Sequence, residues 1–220
     1  MSTQLDDTST TTAPTATTTT TTTMTPYRQI RAQYTDTTVT LYQAYHPSIA
    51  LPAVANQSLL SSPSFQLTRM TWIKPSWNWM MYRSGYATKT AHQSHILALT
   101  MPREAFEHIL SLGNPAKGDV RIQWDPERSV SIGRLEHRSI QIGIGRGIVE
   151  KWAGEWVVGI EDVTELARRI GGLVAEGKVE EAEGLRPVER VYPVSEELRR
   201  VLGMDLEEGV DGGVEGGGAG

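Results

Sequence analysis

HILALTMPREAFEHILSLGNPAKGDVRIQWDPERSVSIGRLEHRSIQIGI, residues 95–144, carries the pattern that decides the fold. His95–Thr100 is an apolar run of strand length. Pro102–Leu112 changes to helical spacing, with Phe106, Ile109 and Leu110 on one face and Gly113 as the stop. Strands then follow without an intervening helix. They are Val120–Trp124, ended by a turn at Asp125-Pro126-Glu127-Arg128, then Ser129–Ile132 and His137–Ile144. A repeated strand–helix unit would indicate a doubly wound parallel sheet, and none is present. The expected class is α+β: a single domain with a mixed, mostly antiparallel sheet and packed helices, between disordered tails.

The flanks extend this irregular mixture. Upstream, Tyr27–Tyr34 and Thr37–Tyr42 read as two strands of a hairpin. Pro47 opens a short helix that Pro52 interrupts or restarts. Arg69–Ile73 reads as a strand. Pro75-Ser76 is a helix-start signal, followed by a helix over Trp77–Ser84 that ends at Gly85. Downstream, the spacing gives a short helix within Gly145–Trp152 and a strand at Trp156–Ile160. A helix capped by Asp162 then runs through Thr164, Leu166 and Ile170.

The expected domain spans residues 26–202. Residues 1–25 are mostly Thr and residues 203–220 are Gly-rich and acidic, so neither can bury enough apolar surface to offset the entropy of ordering. The chain has no cysteine, which excludes disulfides, thiolate zinc sites and a Cys nucleophile. This fits a cytoplasmic or nuclear location, as does the lack of a basic-then-apolar secretory signal. No apolar run approaches the roughly 20 residues of a membrane span, so no membrane partner is expected. The net charge of −5 averages unlike parts. Residues 24–151 hold 14 Lys/Arg against 8 Asp/Glu and all five His, whereas residues 152–204 hold 7 against 11. A basic body of this kind suits an anionic ligand, either a small molecule or a nucleic acid.

Several catalytic signatures are missing. There is no GxxxxGK[ST], and Gly85-Tyr86-Ala87-Thr88-Lys89-Thr90 lacks the glycine and spacing needed to wrap a phosphate. Gly143-Ile144-Gly145-Arg146-Gly147 is not GxGxxG, and no GxSxG occurs. His92 and His95 are three apart with no supporting carboxylate, so no metal site is expected.

The chemistry concentrates in RMTWIKPSWNWMMYRSGYATK, residues 69–89, which holds three of the six Trp. On a helix, Trp77, Met80, Met81 and Ser84 share the face that reads as core. Trp79 and Arg83, four apart, are placed for guanidinium–indole stacking. Lys74, Arg83 and Lys89, beside aromatic rings, suit a flat anionic ligand. Arg28 and Arg31 fall on opposite faces of their strand, so one of them can reach a sheet-lined pocket. Asp125 and Glu127 form a carboxylate pair that reads either as a plain Asp-Pro turn or as a general base. Arg138 shares a face with Ile140 and Ile142 and therefore needs a partner, from the protein or from a ligand anion.

Taken together, RQIRAQY, LYQAYHPSIA, RMTWIKPSWNWMMYRSGYATK, the QWDPER segment and RSIQIGIG resemble the family catalogued as "domain of unknown function 4291", over about residues 27–162. An acidic helical extension follows that span. The resemblance brings no catalytic residues with it. The residues themselves support a nucleotide- or NAD-type ligand-binding domain, with Arg31, Lys74, Arg83, Lys89 and Arg138 as ligand-binding candidates. By fold-level analogy with ADP-ribosyltransferases, Arg31, Tyr42 and Gln141 are the catalytic candidates and NAD the candidate cofactor. The alternatives are a non-catalytic RNA or single-stranded nucleic-acid binder and a protein-interaction module.

Overall fold

In the computed structural model, which describes residues 25–205, the alternating run Thr38–Tyr45 (β2) and the apolar run His95–Pro102 (β4) pair antiparallel along their full length. Gly159–Asp162 (β7) adds to the other side of β4, giving the sheet order β2-β4-β7. A second sheet contains Thr71–Ile73 (β3), Val120–Arg128 (β5) and Arg134–Ile144 (β6), in the order β3-β6-β5. Reciprocal backbone bonds between Tyr42 and Lys74 join the two sheets: the Tyr42 N–H reaches the Lys74 carbonyl at 2.6 Å and the Lys74 N–H the Tyr42 carbonyl at 3.2 Å. Arg31–Ala32 (β1) and Arg190–Val191 (β8) form a small antiparallel pair. The helices are Pro47–Asn56 (α1), Trp77–Ser84 (α2), Arg103–Ser111 (α3), Val149–Lys151 (α4), Thr164–Ala175 (α5), Val179–Leu185 (α6) and Glu196–Val201 (α7). A π-turn at Trp152–Trp156 follows α4. The described residues thus form an α+β fold with antiparallel sheets. Residues 1–24 and 206–220, which hold most of both expected tails, lie outside the described residues.

Local signals account for α2. The Ser76 hydroxyl accepts the Trp79 N–H at 3.1 Å, and Gly85 closes the helix in the left-handed region at φ 57°. The expected face of Trp77, Met80, Met81 and Ser84 is fully buried. Helix α1 is continuous through Pro52. Proline has no N–H to offer the Ser48 carbonyl four residues back, and the Ser62 hydroxyl donates to that carbonyl instead, at 2.8 Å.

Three local expectations change. Asp125-Pro126-Glu127-Arg128 is the end of strand β5, not a turn. β5 is an edge strand, where a proline costs no ladder bond, and a bulge between Pro126 and Arg128 absorbs the irregularity. The turn lies at residues 129–133, closed by the Ser129 N–H on the Gly133 carbonyl at 2.9 Å, where a strand was expected. The first hairpin does turn at Thr35–Thr38, but β1 leaves β2 and pairs with β8 near the far end of the chain.

The main apolar core lies under both sheets and includes Ile30, Leu41, Ile73, Leu97, Phe106, Ile142 and Trp152. A second cluster of Tyr42, Trp77, Met81, Ile96 and Ile170 lies between α2, α5 and the first sheet. Residues 203–205 belong to the packed chain: Met204 is buried and the Gly203 carbonyl accepts from Arg28 at 2.7 Å.

Candidate functional site

The register of β5 with β6 separates two faces. Ile122, Ile140 and Ile142 enter the main core. Strand alternation places Gln123, Asp125, Ser139 and Gln141 on the opposite face. Helix α2 packs along β5, with the Asn78 side-chain amide donating to the Arg128 carbonyl at 3.0 Å.

At one end of this polar face lies a cavity of about 230 Å3. Its lining brings together Arg31 from β1, Asn78 from α2, Glu127 and Arg128 from β5, His137 from β6, and Glu183, Arg186 and Glu189 from the α6–β8 segment. Glu127 is buried. It accepts from the Ser76 hydroxyl at 2.9 Å and from the Arg128 N–H at 2.7 Å. Burial still raises its carboxyl above the ordinary range. Glu189 is 8% exposed and accepts the Trp77 N–H, at the start of α2, at 2.5 Å. Burial, reinforced by the neighbouring Glu127 charge, pushes its carboxyl up to about 8 against the pull of Trp77, Arg186 and Arg31. Burial thus raises both carboxyl groups in one cavity, Glu189 to about 8.

The cations are arranged around this pair. Arg31 donates to the Glu189 backbone carbonyl at 3.1 Å. Arg186 sits 2.8 Å from Glu183 and 3.8 Å from Glu189. The Arg128 guanidinium lies 3.7 Å from the centre of the Tyr82 ring. Burial, with the Arg31 charge, holds the His137 imidazole below its usual value. Arg128 Nε, Asn78 Oδ1 and His137 Nε2 are all buried without a hydrogen-bond partner.

Further along the same face lies a second polar group. Lys74 is 4% exposed, with its ammonium 4.7 Å from the Trp79 ring centre. Burial lowers its amine to about 7, with Asp125 opposing and Arg83 adding to the shift. Burial raises Asp125, and its Oδ2 has no hydrogen-bond partner. Gln141 donates to Gln123 at 2.6 Å beside them.

The structure therefore divides the candidate residues chosen from sequence. Arg31 lines the cavity. Lys74 and Gln141 stand on the adjoining sheet face, and the half-buried Arg83 acts on Lys74 through its charge. Lys74, not Arg83, occupies the Trp79 ring. Tyr42 lines a different cavity. Lys89 is exposed and lies outside both. Arg138 points to the other side of its strand, where it donates to the Tyr27 hydroxyl at 2.9 Å and the Trp124 carbonyl at 3.3 Å. Arg31, Tyr42 and Gln141 do not converge on one cavity. The His92 ring lies 5.7 Å from that of His46, tilted by 43°, and no group of three or more His, Asp or Glu able to hold a metal occurs among the described residues. Sequence reasoning did not pick out Asn78, Arg128, Arg186 or Glu189. The last two lie in a stretch that reads only as an acidic extension.

Residues 29–192 match the family described as domain of unknown function (DUF4291). The chain belongs to the DUF4291 family. The match covers the folded body from before β1 to just after β8, so in a DUF4291 domain the α6–β8 segment with Arg186 and Glu189 is part of the family unit. No curated protein and no solved structure matches the chain. Among the described residues of this DUF4291 domain, no helix is long and apolar enough to cross a membrane.

Proposed function

We propose that the cavity between β1, β5 and the α6–β8 segment binds the phosphorylated ribose of a nucleotide-type ligand, NAD among them, and supports transfer at the ribose anomeric carbon. The observation behind this reading is the convergence of Arg31, Arg128 and Arg186 with the carboxyl groups of Glu127 and Glu189 on one cavity. Guanidinium forks match phosphate oxygens, and carboxylates accept from ribose hydroxyls. A cavity of about 230 Å3 suits this part of the ligand and leaves the base toward solvent.

The proposed chemistry uses both buried carboxyl groups, Glu127 in its ionised form and Glu189 in its protonated form. When the bond between ribose C1′ and the nicotinamide nitrogen breaks, nicotinamide leaves with the bonding pair and positive charge develops on the ribose. An ionised Glu127 stabilises that charge. A protonated Glu189 donates a hydrogen bond to a ribose or phosphate oxygen. An acceptor nucleophile then closes the new bond at C1′ and releases its proton to bulk water. This assigns Glu127 and Glu189 to the positions where sequence reasoning had Tyr42 and Gln141.

Calorimetric titration of the full chain with ADP-ribose and with NAD tests the reading. The expected result is saturable binding that Arg31→Ala and Arg186→Ala each weaken at least about tenfold, as loss of a charged contact implies. Slow nicotinamide release from NAD, abolished in Glu127→Gln, is expected alongside. Absence of binding by either ligand, or binding indifferent to both arginine substitutions, overturns the proposal.

A further inference from the structure

On the far side of the α6–β8 connection is a second cavity, of about 270 Å3, whose chemistry is opposite to that of the first. Its floor is the first sheet. The register sets Thr40 beside Thr100 and Tyr42 beside Ala98, with Glu161 of β7 opposite Ala98. Val163 and Leu166 at the start of α5, with Leu185 and Pro187, make an apolar wall. No Lys, Arg or His lines it, and Glu161 is its one charged group.

The polar groups facing this space are under-used. The Tyr42 hydroxyl is committed, donating to Gln33 at 3.3 Å. Thr40 and Thr100 make no side-chain hydrogen bond, and Glu161 makes neither a hydrogen bond nor an ion pair. Burial above all, then the charges of Glu189 and Glu161, raise the Tyr42 phenol on the cavity floor, with the Arg186 charge opposing. An apolar wall facing two free hydroxyls and one free carboxylate is complementary to a ring or short chain that carries a cationic nitrogen. The volume fits a single-ring molecule and falls just short of the about 300–1,000 Å3 of sites for larger ligands.

We propose that this cavity is a binding site for small organic cations, primary amines or guanidinium compounds with an apolar body. Glu161 holds the cationic head, Thr40 and Thr100 accept its remaining N–H bonds, and Val163, Leu166 and Leu185 cover the apolar part. The site is independent of the nucleotide reading of the first cavity, because neither its residues nor its ligand class depend on that cavity being occupied.

Backbone amide shifts of the full chain, titrated separately with benzylammonium, benzyl alcohol and benzoate, test the assignment. The expected result is saturable movement at Thr40, Ala98, Thr100 and Leu166 with benzylammonium, and at least tenfold weaker binding of benzoate. Glu161→Gln, an exposed position that leaves the fold intact, should weaken benzylammonium about two- to fivefold and equalise it with benzyl alcohol. Ala98→Leu, which fills the cavity from its floor, should abolish binding of both. The proposal is overturned by shifts that never saturate or centre on His137 and Arg31. It is equally overturned by benzoate binding as well as benzylammonium, or by Glu161→Gln leaving the preference unchanged.

Discussion

Replacing Glu189 with glutamine should change how stability depends on pH more than it changes stability at any one pH. Glutamine keeps an oxygen for the Trp77 N–H and is nearly isosteric, so the start of α2 stays capped. It removes only the titration. In the wild-type protein the folded-state value is about 8 against an ordinary 4.5. The folded chain therefore holds a proton that the unfolded chain releases between those values. For a carboxyl raised in this way, the contribution to stability is full below pH 4.5 and is lost as pH rises toward 8. At about 1.4 kcal/mol per unit, the loss across that window is on the order of 5 kcal/mol, a large fraction of a typical domain's stability. Urea unfolding of both proteins at half-unit steps from pH 4.5 to 9 measures it. The variant should gain on the wild type steadily through the window and hold that gain above it. A stability difference that is constant across the window would show that Glu189 is not held protonated, and its proposed role as a proton-bearing donor would go with it.

Lys74→Met should act in the opposite sense. The Lys74 amine is lowered from 10.5 to about 7, so its burden on the fold is greatest below pH 7 and fades as pH rises toward 10.5. Urea unfolding should show the variant more stable by about 1–4 kcal/mol at pH 6 and level with the wild type near pH 10.5. Gly85→Ala forces a side chain into the left-handed region at φ 57° and brings its Cβ to 3.1 Å from that of Lys89. It should cost about 1–2 kcal/mol, read as a fall in Tm of roughly 2–8 °C by calorimetry.

The parts of the fold that could be read from sequence are those specified by neighbours in the chain. Helix α2 runs from the residue after Ser76 to the residue before Gly85, as expected, because its cap and stop lie at its own ends. β4, α3 and most of β6 follow for the same reason, since each carries its own apolar period. The failures were non-local. Pro52 stays within a helix because Ser62, in another segment, satisfies the carbonyl that proline cannot. Asp-Pro reads as a turn unless one knows that β5 lies at a sheet edge. The site divides in the same way. Arg31 was legible as a cation on a strand face, and Asp125 with Glu127 as a carboxylate pair. Nothing in the sequence places Glu189 beside Glu127, because burial at the start of α2 does so across 112 residues from Trp77. Two of the three tryptophans of the most distinctive stretch serve packing: Trp77 and Trp79 are buried and offer no open face to a base, whereas Trp72 is only partly buried.

The pairing of Arg31 with the far end of the chain also bears on how the protein is made. The guanidinium of Arg31 meets a carbonyl 158 residues later, and among the described residues β1 has no sheet partner other than β8. A ribosome emits roughly 5–20 residues each second, so Arg31 leaves the exit tunnel on the order of ten seconds or more before Glu189 is even synthesised. The second sheet, whose last strand ends at Ile144, can begin to assemble in that interval, whereas β7 of the first sheet, only 27 residues ahead of Glu189, is still inside the tunnel. The first cavity cannot, since one of its walls is still unmade. A chain that stops short of residue 189 lacks one wall of the first cavity and the second of its buried carboxyl groups.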